Sequence, residues 1–216
     1  CHSEYRASNY DLPVDAKAIV GDTAGLNQPK SADAKDTILA KASRWSYGLS
    51  VLNDFINYQK LGGTMSFANF TGYNDGWGEG LFNCAKSKAY PSLTGRALTF
   101  LRSQEIAWPL ETQLDEKTPF IRTQIAWDLK KKQLILFVLN LSCKNRNVAF
   151  DVSQVGAKFK DTAKVEALWS PDVRVCAKEE LPNPLKTETS VVNHDGKTIV
   201  HTLKPYSVTA INIAVK

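Results

Sequence analysis

Gln133-Leu134-Ile135-Leu136-Phe137-Val138-Leu139-Asn140-Leu141-Ser142 decides the character of the second half of this chain. Residues 134–139 are six consecutive apolar side chains, too few for a helix of ordinary length and typical of a strand. Working outward, residues 120–127 suggest period-two alternation, and 148–152, 164–169, 197–203 and 208–215 read as further strands. They are short, irregularly spaced, separated by turn residues and uninterrupted by helical pattern. That arrangement predicts an antiparallel β-sandwich.

Upstream the pattern changes. Ile38, Leu39, Ala42, Trp45, Leu49, Leu52, Phe55 and Ile56 recur at three- and four-residue steps and predict a helix opening at Ser31 or Asp33. Gly62-Gly63 stops it. Residues 64–70 read as a short strand, residues 72–80 as a Gly-rich loop, and a second helix begins near Pro91. The opening Cys1-His2-Ser3-Glu4-Tyr5-Arg6 reads as the end of a strand, as though the chain had been cut from a larger one. Residues 7–32 form a long loop, a type that tends to be functional. Strand, loop, helix, strand, loop and helix make two βα units in series, the mark of parallel α/β architecture. The composition shift between residues 104 and 120 divides the chain into domains 1–105 and 106–216.

Charge excludes little. The net +5 comes from 27 basic residues spread along the chain, and only Lys130, Lys131 and Lys132 cluster. No aromatic-basic stripe accompanies them, so the basic residues read as a solvated surface, with no nucleic-acid or membrane partner. No stretch approaches the roughly 18 apolar residues of a membrane span. Cys1, Cys84, Cys143 and Cys176 contain no close pair that would nucleate a metal site, and no metal or cofactor is expected. Cys143 and Cys176 both follow sandwich strands, so they are the pair expected to bond if any does. The triplets Asn69-Phe70-Thr71 and Asn140-Leu141-Ser142 match the glycosylation acceptor pattern and lean toward secretion. His194 and His201 fall in a final hairpin around Asn193-His194-Asp195-Gly196, without a catalytic triad nearby.

The strand 133–142 resembles the Leu-Phe-Val-Val-Asn-Arg-Ser strand of the α-L-arabinofuranosidases of glycoside hydrolase family 51. Thr202-Leu203-Lys204-Pro205-Tyr206-Ser207-Val208-Thr209-Ala210-Ile211 resembles that family's final strand. Leu52-Asn53-Asp54-Phe55-Ile56 is similar to the helix before its eighth barrel strand, and Phe67-Ala68-Asn69-Phe70 to that strand. Ser3-Glu4-Tyr5 stands where the family carries its nucleophile, with Tyr5 where many members have Trp. The resemblance implies the last two units of a (β/α)8 barrel followed by a β-sandwich. It implies a retaining hydrolase acting on an oligo- or polysaccharide, with endo-glucanase chemistry on a related barrel as an alternative. A third reading is a non-catalytic carbohydrate-binding or structural scaffold.

Retaining glycosidases need two carboxyl groups about 5 Å apart. Glu4 is the candidate nucleophile, held charged by polar neighbours such as His2 or Tyr5; its plainer reading is a surface carboxylate. The resemblance puts the general acid on a barrel strand that these residues do not include, so an N-terminal barrel chain or segment is the expected partner. Trp77 between Gly76 and Gly78 offers either a sugar-stacking face or rim packing. Tyr73 and Asn74 are lesser candidates for hydrogen bonds to sugar hydroxyls, and Trp45, Trp127 and Trp169 read as core.

Overall fold

The computed structural model describes residues 44–60, 81–85, 88–104, 106, 108–113 and 120–216. The strands expected at residues 1–4 and 64–70, and with them their parallel pairing, lie outside these. The chain divides into two compact units, Cys1–Phe100 with Asp172–Pro184, and Leu101–Pro171 with Leu185–Lys216.

In the first unit, helix α1 (Trp45–Lys60) buries Trp45, Leu49, Leu52 and Ile56. These are four of the eight apolar positions that predicted it; Phe55 is partly buried, and Ile38, Leu39, Ala42 and the expected start at Ser31 or Asp33 lie outside the described residues. Its opening N–H groups, which no helix can satisfy internally, are met from far along the chain. Trp45 N donates to the Val175 carbonyl and Ser46 N to that of Val173, each at 2.9 Å. Arg44 forms an isolated antiparallel bridge with Cys176. A hairpin of β1 (Phe82–Ala85) and β2 (Lys88–Pro91) precedes helix α2 (Leu93–Ser103). Ser92 caps α2 by accepting from Gly95 N at 3.0 Å, while Ser92 N donates to the Leu81 carbonyl at 2.9 Å. A Cβ on Gly95 would overlap that same Leu81 carbonyl oxygen.

The second unit is built on one antiparallel sheet. Its strands are β3 (Trp108–Leu110), β4 (Ile121–Asp128), β5 (Gln133–Asn140), β7 (Phe159–Trp169), β8 (Lys186–Asn193) and β10 (Ser207–Val215). They lie in the order β3-β4-β5-β10-β7-β8. A second, two-stranded sheet pairs β6 (Arg146–Asp151) with β9 (Thr198–Leu203). Leu134, Leu136 and Val138 from β5, Val165 from β7, and Ile211 and Ile213 from β10 share one core with Phe150, Ile199 and Leu203 of the small sheet. Two sheets closing on one core match the expected sandwich. Leu134 through Leu139 are buried at every position, so β5 is covered on both faces, which accounts for its unbroken apolar run.

Three expectations are corrected. Cys143 and Cys176 are free thiols, not a disulfide; Cys176 is carried on the segment Asp172–Pro184, which is grouped with the first unit and not with the sandwich strands. The Asn193-His194-Asp195-Gly196 turn closes no hairpin: it carries the chain from β8 to β9, which pair in different sheets. Its local chemistry is nonetheless that of a tight turn, with Gly196 at φ +80° and Asp195 Oδ1 accepting from Lys197 N and Thr198 N. Trp169 is half-buried rather than core, with the ammoniums of Lys186 and Lys204 over its ring at 4.8 and 5.7 Å. Trp127 is partly buried; it packs on the core and stacks on Phe159 with centroids 6.1 Å apart.

Candidate functional site

Glu4, Tyr5, Tyr73, Asn74 and Trp77 all lie outside the described residues. Three groupings of described polar side chains in the second unit bear on a site.

The first is a corner organised by Asn140, which is 0% exposed. Its Nδ2 donates to the carbonyls of Lys144 at 2.8 Å and Lys204 at 2.7 Å. Its Oδ1 accepts from Ser142 N at 3.0 Å and Ser142 Oγ at 2.8 Å. Two donors and two acceptor sites are all that a primary amide has, so this side chain is fully used. A glycan on Asn140 is incompatible with this folded corner, because it would replace one of the two buried Nδ2 donors and need room beside it. Ser207 lies opposite Asn140 in the β5–β10 register, and its Oγ donates to the Lys204 carbonyl at 2.8 Å. Two of the stretches that carried the family resemblance therefore meet in space.

The second grouping holds the carboxylates that burial makes worth testing as acids or bases. Glu166 accepts from Gln104 Nε2 at 3.1 Å and pairs with Lys164, while Gln104 Oε1 accepts from Asn212 Nδ2 at 3.1 Å. The Lys164 hydrogen bond, helped by Gln104, holds the Glu166 carboxyl below its ordinary range against the pull of desolvation. Asp128 Oδ1 accepts from Lys130 N and Lys131 N at 3.0 Å, and Oδ2 from Gln133 Nε2 at 3.3 Å. Both carboxylates have their oxygens committed, one to a partly buried polar network and the other to the β4–β5 turn. Neither is placed to attack a substrate.

The third grouping lies at one end of the sandwich. Ile121, Asn140, Ser207, Trp169 and Lys186 form one continuous register row across β4, β5, β10, β7 and β8. Arg146 lies over the Phe120 ring at 5.4 Å and donates from Nε to Ser142 Oγ at 3.2 Å. Lys204 pairs with Glu188 at 3.3 Å. Burial lowers the pKa of the nearby His201; Glu188 pulls it up and Lys204 down, and the net direction keeps the imidazole neutral near pH 7. The sequence hid this grouping because its members are scattered between residues 120 and 204. Among the described residues no three metal-ligating side chains gather.

No protein-family model matches the chain, and no curated protein matches it. Solved structures do. The GH51 α-L-arabinofuranosidase of Thermotoga petrophila RKU-1 superposes with a TM-score of 0.66 at 19% identity, over 81% of this chain and 39% of its own. The arabinose-bound MgGH51 α-L-arabinofuranosidase gives 0.65 at 14% identity, over 83% and 28%. The GH51 arabinofuranosidase of Xanthomonas axonopodis pv. citri gives 0.65 at 12% identity, over 79% and 36%. The fold is thus related to a part of that of the glycoside hydrolase family 51 arabinofuranosidases. This chain spans between 28% and 39% of the length of those proteins, a share that fits their C-terminal portion.

Proposed function

We propose that this chain is the C-terminal part of a retaining glycoside hydrolase of the α-L-arabinofuranosidase kind, acting on oligo- or polysaccharide. The observation that carries the reading is the fold match to three arabinofuranosidases over 79% to 83% of this chain. In this reading residues 1–105 supply the last two βα units of a (β/α)8 barrel, and the remaining strands come from an N-terminal segment or chain. Barrel enzymes place catalytic residues at the carboxyl ends of several strands facing one mouth. Glu4 would close the seventh strand there, as the nucleophile. Its carboxylate attacks the anomeric carbon while the bond to the leaving oxygen breaks, and the partner segment's acid protonates that oxygen. Water, deprotonated by the same partner group, then releases the sugar with net retention. Trp77 would stack on the sugar, with Tyr73, Asn74 and Tyr5 around it. Secretion belongs to the same proposal and now rests on the Asn69 triplet, since Asn140 is buried.

The test is turnover of nitrophenyl α-L-arabinofuranoside by the assembled protein against the nitrophenyl glucoside and cellobioside. Preference for the arabinofuranoside supports the reading. Preference for the cellobioside transfers it to an endo-glucanase, and inertness toward all three favours a scaffold.

A further inference from the structure

Three cationic side chains gather at the end of the sandwich defined by the Ile121–Asn140–Ser207–Trp169–Lys186 register row. Lys186 and Lys204 lie over Trp169, and Arg146 lies over Phe120. Acid is scarce around them: the sequence holds no Asp or Glu from residue 129 to 150 or from 196 to 216. Among the described residues, Lys204–Glu188 is the one ion pair this group makes. The surface is also built. Lys204 sits on a turn whose carbonyl accepts from both Asn140 Nδ2 and Ser207 Oγ, and Tyr206 N donates to the Ser142 carbonyl at 3.0 Å. The aromatic rings hold the cationic chains along their faces, which reduces the rotamer freedom an anion would otherwise have to quench.

We infer that this end of the sandwich binds an anionic polysaccharide, a chain of uronic acid residues, through Arg146, Lys186 and Lys204. Only the ligand class rests on the hydrolase reading. The site itself rests on charge complementarity and on the register that assembles it. The cations would pair with sugar carboxylates. Glu188, set among them, would accept hydrogen bonds from sugar hydroxyls, a donor that a phosphate diester does not offer. Nucleic acid fits less well, because unpaired bases need open aromatic faces to stack on. Here both rings are half-buried and carry cations.

The experiment measures binding, not turnover, with the full chain and three probes: polygalacturonate, neutral arabinan, and single-stranded DNA at matched charge concentration. Polygalacturonate should bind more tightly than DNA, survive an excess of arabinan, and weaken steeply between about 50 and about 200 mM salt. Lys186→Gln combined with Lys204→Gln should weaken it about tenfold, roughly the effect of losing two charge-assisted contacts. An Arg146→Gln variant is the second arm should the double variant unfold. DNA binding as tightly as polygalacturonate overturns the inference, as does competition by arabinan, or unchanged affinity in folded variants. A chain that binds polygalacturonate but cleaves no glycoside sinks the hydrolase reading alone; a hydrolase without this binding sinks the anion site alone.

Discussion

Asn140 donates its side-chain amide to the Lys204 carbonyl at 2.7 Å, joining the end of β5 to the turn that launches β10. The central pair of strands is therefore fixed at its end by a side chain as well as by its ladder. Asn140→Ala would leave Ser142 N without its acceptor and remove one donor each from the Lys144 and Lys204 carbonyls. The expected loss is about 2–4 kcal/mol in urea unfolding, the range for breaking a buried hydrogen-bond network. A loss below about 0.5 kcal/mol, the size of a surface substitution, would contradict this account.

The same burial predicts that Asn140 stays unmodified in a glycosylating host. Peptide mapping by mass spectrometry checks it, and a glycan on Asn140 of folded, soluble material would show that the β5 corner is open.

How far the sequence reveals the fold depends on where each residue's partners lie. The strands β4, β5, β9 and β10 are readable because their apolar residues are local in sequence and buried. Strand β8 escapes notice because Lys186–Asn193 is polar and lies at the sheet edge, alternating exposed and half-buried positions. The His194–Gly196 turn has the chemistry of a hairpin, yet its flanking strands find partners in separate sheets, and no local signal reports that. Trp169 reads as core from its strand, whereas its lysines come from positions 186 and 204. Cys176 follows a sandwich strand in sequence but rides on a segment that caps α1. Of the candidate site, the sequence offers Glu4 through resemblance and Trp77 through its flanking glycines, and both lie outside the described residues.

Gly95 offers a test in which two effects oppose each other. Helix propensity alone would make Gly95→Ala stabilising by about 1 kcal/mol. The added methyl, however, meets the Leu81 carbonyl oxygen, which is backbone and cannot swing away. Overpacking of that kind costs about 1–3 kcal/mol, so the net change should be destabilising. A raised thermal midpoint for Gly95→Ala would show that the Ser92–Leu81 junction yields easily.

Acid should weaken the sandwich in two stages. Burial lowers the folded-state pKa of His201, so the unfolded chain binds its proton first, and stability declines as pH falls below about 6.5. Glu166, whose carboxyl Lys164 holds low, adds a second loss as pH falls below about 4.5 and through its folded value. His201→Gln should flatten the upper stage and Glu166→Gln the lower in denaturant midpoints followed against pH. A midpoint independent of pH between 7 and 3 in the parent chain would contradict both assignments.

The central claim is that Glu4 is the nucleophile of a retaining glycosidase, and a covalent trap tests it most directly. The assembled protein is incubated with a 2-fluoro arabinofuranosyl donor bearing an activated leaving group, which departs with little need of the general acid and slows release of the glycosyl-enzyme. The account predicts one added fluorosugar on the peptide containing Glu4, and none in Glu4→Gln, which still binds arabinose. Labelling at another carboxylate, or full turnover by Glu4→Gln, would contradict it.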